Sequence, residues 1–226
     1  MRPGNIFHLL IILGLTAAAC KDQGSKENPA RQTDVIQAPQ PDPGKQPDWE
    51  IVPGHRIGAI RAESSEMDLG DAYGAENIST RSMDEGEGNM VPTTLIYPGS
   101  KNEVRITWQD AEARKRPARV NINGEGSDWH IGGKIRIGTT LSQLEEWNGK
   151  SFFITGCCYD APFAVVDWDK GRLEYLAREG AGIRLRPTKP TDELNDKIIG
   201  DKQYPITDSL IRNAGMRVSE FFIRFR

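Results

Sequence analysis

The chain of 226 residues is poor in the side chains on which most catalytic and metal sites are built, with 3 cysteines and 3 histidines. Three thiols, one of them near the N-terminus, argue against a disulfide-stapled scaffold. The histidines fall in no H-E-x-x-H spacing, and there is neither a G-x-S-x-G elbow nor a phosphate-cradling glycine loop. Charge of either sign is also scarce in excess: 29 Lys and Arg stand against 32 Asp and Glu, a net of −3. So even a balance carries no electrostatic footprint for nucleic acid. After residue 20 no apolar run approaches the roughly 20 residues a spanning helix needs.

What is present begins at the N-terminus. MRPGNIFHLLIILGLTAAAC opens with Arg2, continues through an apolar run over residues 6–15 and ends in small residues before a cysteine. That is the layout of an export signal with a cleavage site, and the run is too short to span a bilayer comfortably. Ala17-Ala18-Ala19-Cys20 resembles the lipobox of bacterial lipoproteins, with alanine at the position where leucine is commoner. The resemblance implies that residues 1–19 are removed as a lipoprotein signal peptide and that Cys20 carries the lipid, including a palmitate-class acyl chain. Lys21 is not an acidic retention residue, so the expected location is the cell envelope, at the outer membrane where the cell has one. An ordinary secretory signal with an incidental cysteine is the alternative. With no other membrane segment, the lipid is the expected sole anchor.

Residues 20–48 comprise that cysteine and a proline-rich stretch without aromatics. Such a composition buries too little surface to offset the entropy of ordering, and is expected to be a disordered tether. By coil scaling it spans about 30 Å. The folded body is expected from Trp49 onward.

That body contains an internal echo. Residues 55–74 lie over residues 130–149 without a gap, at an offset of 75. The matches are His55 with His130, Gly58 with Gly133, Ile60 with Ile135, Arg61 with Arg136, Ser64 with Thr139, Ser65 with Thr140, Leu69 with Leu144, Asp71 with Glu146 and Gly74 with Gly149. Each copy reads as a short β segment, a hydroxyl cap, a helix of about two turns and a closing glycine. Hairpin patterns follow each helix. TTLIY and EVRITW flank the turn PGSKN, RVNIN repeats the alternation, and FFITGCCY, FAVVDW and RLEYL suggest a three-strand meander.

The expected fold is therefore α+β, two tandem repeats over residues 49–129 and 130–226, each a short helix followed by an antiparallel β-meander. A helix capped by Thr207 or Asp208 and a strand carrying Phe221, Ile223 and Phe225 complete the chain. The run I-x-x-G-T-T-L-x-x-L-x-x-x-x-G from Ile135 and its echo from Ile60 resemble the tandem-repeat beta-lactamase inhibitory protein superfamily and the small outer-membrane-assembly lipoproteins. The resemblance implies an extracytoplasmic binding role and names no ligand. The first copy departs from the pattern at Glu63 and through the insert STRSMDEGEGNMVP, whose acidic part, residues 84–88, reads as a solvated loop rather than a calcium loop.

Three functional readings follow. The preferred one is a non-catalytic, lipid-anchored binding or scaffolding module with an envelope protein partner, no cofactor and no metal. Its contact surface would be aromatics and arginines on a sheet face, with Trp108, Trp129, Tyr159 and Trp168 as the candidate residues, because Trp, Tyr and Arg dominate interface energetics. The competing reading of these aromatics is core. The second is a cysteine-dependent hydrolase using Cys157 or Cys158 with His130 as base and Asp160 or Asp167 as orienter. The third is a structural envelope protein without ligand. His55 and His130 alone make a poor metal site. In the strand reading Cys157 and Cys158 point to opposite faces, and are expected either reduced or joined in a labile vicinal bridge, with neither acting as nucleophile.

Overall fold

The structure, a computed structural model, describes residues 47–84, 86–158 and 161–225. The N-terminal signal, Cys20, most of the tether, and two residues named above, Tyr159 and Asp160, lie outside the described residues. No described helix is long and apolar enough to cross a membrane.

The described chain is a mixed α+β structure of mostly antiparallel strands with a few short helices. A hairpin of β1 (Glu50–Val52) and β2 (Arg56–Ile57) leads to α1 (Glu66–Tyr73), and then to β3 (Ile78–Asp84), β4 (Met90–Ile96), β5 (Val104–Asp110) and β6 (Lys115–Ile122). A second hairpin, β7 (His130–Ile131) and β8 (Ile135–Arg136), leads to α2 (Leu141–Asn148). There follow β9 (Phe153–Thr155), β10 (Val165–Asp167), α3 (Glu174–Arg178), β11 (Ala181–Arg186), α4 (Asp192–Lys197), β12 (Gln203–Pro205), α5 (Ser209–Asn213) and β13 (Arg217–Ile223). These strands form a four-stranded sheet ordered β2-β1-β7-β8, a three-stranded sheet β10-β9-β12, and a six-stranded sheet β11-β13-β6-β5-β4-β3.

The two long-matched segments share their local chemistry. In α1, Ser65 Oγ accepts from the Asp68 amide while an Asp68 oxygen accepts from the Ser65 amide at 2.8 Å. In α2, Thr140 and Gln143 make the same reciprocal pair, with the Thr140 amide donating to Gln143 Oε1 at 2.9 Å. Both boxes satisfy amides that a helix start leaves without partners. One residue earlier, Ser64 accepts from the Arg61 amide and Thr139 from the Arg136 amide, at 3.0 and 2.9 Å. Leu69 and Leu144 are both buried, as are Ile60 and Ile135. The correspondence loosens upstream: Ile57 bridges Ile60, whereas Ile131 pairs with Ile135, so the second turn is one residue longer. Gly149 closes α2 in the left-handed conformation, which favours glycine. Gly74 has positive φ with an extended ψ and leads into a 3₁₀ turn instead.

After the helices the halves differ. The first continues as the antiparallel meander β3-β4-β5-β6. Here the insert is largely strand: β3 and β4 pair from Ile78↔Ile96 to Asp84↔Met90, while Gly86, Glu87 and Gly88 of its acidic part are exposed outside the ladder. Apart from Met90 and Pro92 the exposed positions of the ladder are polar, and no apolar alternation betrays it. In the second half β9 lies between β10 and β12, and RLEYL, expected as a strand, supplies α3. Leu173 and Leu176, three apart, are both buried there, a helical spacing that a strand would have split between faces. FFITGCCY is a strand only through Thr155. Cys157 makes an isolated bridge to Ile199, and Cys158 turns out of extended geometry at a φ of 78°.

The core lies on one face of the six-stranded sheet. Val104, Ile106, Val120, Ile122, Phe221 and Ile223 from its strands share one buried cluster with Leu69, Leu144, Leu176, Leu194 and Ile211 from the five helices. The strand β13 enters between β11 and β6, so the C-terminus ties the two halves into one sheet.

Candidate binding face

Three of the four aromatic candidates are interior. Trp129 is fully buried, packs edge-on to Trp49 at 5.0 Å and donates from Nε1 to the Asn102 carbonyl. Trp108 donates to Thr94 Oγ1 at 2.9 Å, and that hydroxyl in turn donates to Glu66. Trp168 is 3% exposed and packs on Phe152. Each indole hydrocarbon surface is thus in the core and cannot serve as an exposed contact; the fourth candidate, Tyr159, lies outside the described residues. Nearby, burial pushes the Tyr73 phenol well above its usual range, against the opposing effect of the hydrogen bond from the Ala59 amide.

The hydrolase constellation is not assembled. Cys157 and Cys158 are joined by a disulfide, the bridged alternative of the two expected states, so neither sulfur is a thiol in this structure. The Cys157 backbone is held on both sides, its amide donating to Ile198 O at 2.7 Å and its carbonyl accepting from Gly200. His130 Nδ1 accepts from the Gly133 amide within its own turn, and Asp167 Oδ1 accepts from the Asp169 amide. No described contact links them. Among the described residues no group of three His, Cys, Asp or Glu side chains stands where a metal could be held.

A groove of about 630 Å³ between α1 and β3 collects Glu66, Met67, Thr80, Arg114 and Lys115. Of its two carboxylates, Glu66 and Asp71, the first is already used: Glu66 accepts from Thr80 and Thr94 at 2.7 and 2.5 Å and pairs with Arg114 at 3.0 Å. That knot clamps the β5–β6 turn to the start of α1, a structural task.

The strongest candidate lies on the other face of the six-stranded sheet. Successive strand residues point to opposite faces. With Phe221, Ile223, Val120, Ile122, Val104 and Ile106 turned to the core, the residues between them turn away. Register then assembles rows across the strands. One runs Gly182, Phe222, Asn121, Arg105, Leu95, Ser79. The next carries Arg119 opposite Thr107, and Thr93 opposite Arg81, with Arg224 following Ile223 at the end of β13. Gly182 is required here, because a Cβ would meet the Phe222 ring at 2.0 Å. Leu95 is the telling residue: it is 2% exposed, yet it belongs to no part of the core cluster.

The face is cationic in a chain that is acidic overall. It gathers Arg81, Arg105, Arg119, Arg184 and Arg224 against Glu103 and Glu220. Both acids are consumed: Arg105 pairs with Glu103 and Arg184 with Glu220, each at 2.8 Å, and Asn121 also donates to Glu220. Burial raises the Glu103 carboxyl, but the Gly99 amide, Arg105 and the charge of Arg81 outweigh it and hold the group below its usual range. Arg119 and Arg224 line one pocket of about 310 Å³ with Thr107 and Asn89. Arg224 also borders an apolar crevice of about 470 Å³, walled by Val165, Trp168, Phe222 and Phe225, where β10 and β11 part.

Alternation in EVRITW and RVNIN marked the apolar sides of β5 and β6, and by complement Arg105, Thr107, Arg119 and Asn121. Their assembly into one face depends on pairing between distant strands, for which no local signal exists. No family model, curated protein or solved structure matches this chain.

Proposed function

We propose that the protein is a lipid-anchored binding module of the cell envelope that presents the open face of its six-stranded sheet to a protein partner. The observation that carries this reading is the strand register that sets Arg81, Arg105 and Arg184 on the side of the six-stranded sheet away from the core. A sheet face rich in arginine and threonine, over which no other described strand or helix is layered, offers a wide, rigid contact surface, and arginine is among the residues that dominate such contacts. Binding is preferred to catalysis because the sulfurs are bonded to each other and His130 serves its own turn.

The anchoring half of the proposal rests on Ala17-Ala18-Ala19-Cys20, with Lys21 favouring the outer membrane and residues 20–48 as the tether. The folded part reads as two tandem units, residues 49–129 and 130–226. Supporting that division are the matched capping pairs Ser65–Asp68 and Thr140–Gln143 and the matched Leu69 and Leu144. A kinship with the tandem-repeat inhibitory and outer-membrane-assembly proteins would fit this plan.

Two measurements test it. Metabolic labelling with palmitate should mark the wild type and not Cys20→Ser. Capture of an envelope partner by the full-length protein should be lost in Thr107→Trp, which roofs the face without changing charge. Equal capture by both proteins would reject the face as the contact.

A further inference from the structure

We infer that a protein partner adds an extended segment to the open edge of β3, as a further strand of the six-stranded sheet. The segment carries an acidic side chain opposite Arg81 and an aliphatic one beside it, turned into the groove against α1. This edge is a contact separate from the sheet face proposed above and does not depend on it.

β3 is an end strand of that sheet and is 7 residues long. The opposite end is covered: Ala164 bridges Arg184, and the Leu185 amide donates to the Phe163 carbonyl at 3.0 Å. β3 has β4 on one side and, among the described residues, no strand on the other. Beside the Ile78↔Ile96 pair the Tyr97 amide donates to the Asn77 carbonyl at 2.8 Å. Backbone groups alternate sides along an antiparallel strand, so Ser79, Arg81 and Met83 turn theirs to β4, and Thr80 and Ser82 turn theirs outward. Both residues are exposed, and their backbone amides and carbonyls meet no partner among the described residues. A row of unpaired groups at a sheet edge is a template for another chain, which gains main-chain hydrogen bonds by adding there.

The two sides of β3 specify what the added strand carries. Thr80 donates to Glu66, so its side of the strand faces α1. There the groove of about 630 Å³ is walled by Met67, Gly70, Ala75 and Ile78. Met67 is 76% exposed, and a Cβ at Gly70 would meet nothing within 4 Å, so this side of the helix is bare. A residue paired with Thr80 points to the same face, where an aliphatic side chain covers Met67. The next residue of the added strand stands opposite Arg81, which is exposed at the middle of β3. That pair is a non-hydrogen-bonded one, in which side chains come closer, and a carboxylate there makes a favourable cross-strand pair. Two copies of β3 in full antiparallel overlap would instead set Arg81 against Arg81, which disfavours a second copy of this chain as the occupant.

The probe is a labelled peptide, Lys-Val-Thr-Val-Glu-Val-Thr-Val-Lys, titrated against the full-length protein. Its Glu and Thr amides are N-methylated, which stops it stacking on itself and leaves the Val amides free to bond β3. It should bind, whereas a counterpart N-methylated on the Val amides should not. Gln for Glu in the peptide and Arg81→Gln in the protein should each weaken binding about tenfold, the scale of one central charged contact. Gly70→Phe, which fills the groove, should weaken binding of the parent and leave a Ser-for-Val peptide unaffected. Ser82→Pro should abolish binding: the Ser82 amide takes no part in the ladder with β4, so proline is tolerated at this edge, yet it removes a donor and blocks the approach. Thr107→Trp should bind the peptide as the wild type does, which separates failure of the edge from failure of the sheet face. Equal binding of the two methylated peptides, no binding at millimolar concentration, or undiminished binding by folded Ser82→Pro would each overturn the inference. A protein dimer dissolved by Ser82→Pro, with no peptide bound, would give the edge to a second copy and overturn it as well.

Discussion

The matched helix starts allow one prediction in which the protein is its own control. Ser65→Ala and Thr140→Ala delete the same hydroxyl from the same geometry. In each, the hydroxyl accepts from the amide three residues on at 3.3 Å and donates to that residue's side chain, at 2.7 Å to Asp68 and 3.0 Å to Gln143. A capping hydroxyl lost to alanine costs about 1 to 2 kcal/mol, so both variants should be destabilised by that amount at neutral pH. They should part in acid. The hydrogen bonds from the Ser65 hydroxyl and then the Ser65 amide hold the Asp68 carboxyl below its usual range. A carboxyl lowered in the folded state contributes stability at pH above its unfolded value, and that contribution disappears as pH falls through the folded value. Charge-assisted hydrogen bonds are roughly twice as strong as neutral ones, so the Ser65→Ala penalty should shrink to about half once Asp68 is protonated. Gln143 does not titrate, and the Thr140→Ala penalty should stay constant. Urea unfolding of wild type and both variants at about pH 7 and about pH 2.5 measures the four differences. An identical pH dependence of the two penalties would falsify the assignment of Asp68 as the charged partner in the first box.

Other consequences can be checked alongside. Leu144→Ala, at a fully buried position, should cost about 3 to 5 kcal/mol, whereas Met67→Ala, 76% exposed, should stay within about 0.5 kcal/mol in the same unfolding assay. Gly182→Ala should destabilise by about 1 to 3 kcal/mol despite the better strand propensity of alanine, since its Cβ falls on the Phe222 ring. Adding Phe222→Ala should restore most of that loss, and strict additivity in the double-mutant cycle would rule out the clash as its cause. Alkylation of the denatured, unreduced protein followed by mass spectrometry should find Cys157 and Cys158 unmodified in one peptide two hydrogens lighter than the dithiol; recovery of two alkylated cysteines would contradict the bridge.

How much of this was legible in advance depends on the range of the interaction involved. The caps of α1 and α2 were readable because hydroxyl, amide and partner side chain sit within four residues of each other. The same holds for α5, where Asp208 accepts from the Leu210 amide. RLEYL misled because its β-compatible composition hid two leucines at helical spacing. FFITGCCY misled because nothing local reports that the backbone turns at Cys158. The tryptophans were offered as contact residues on composition, but burial is decided by which faces meet, and Trp108, Trp129 and Trp168 all lie where faces meet.

The sequence by itself determined the helix starts, the inward sides of β5, β6 and β13, and the glycine that closes α2, since each follows from hydrogen bonds or alternation within a few residues. Tertiary structure alone decided that β13 passes between β11 and β6. It also placed Arg81, Arg105, Arg119 and Arg224 on the same sheet face as Leu95. Strand register couples residues far apart in the chain, as in Phe222 with Asn121 and Gly182, and a one-residue slip would turn every side chain of that strand to the opposite face.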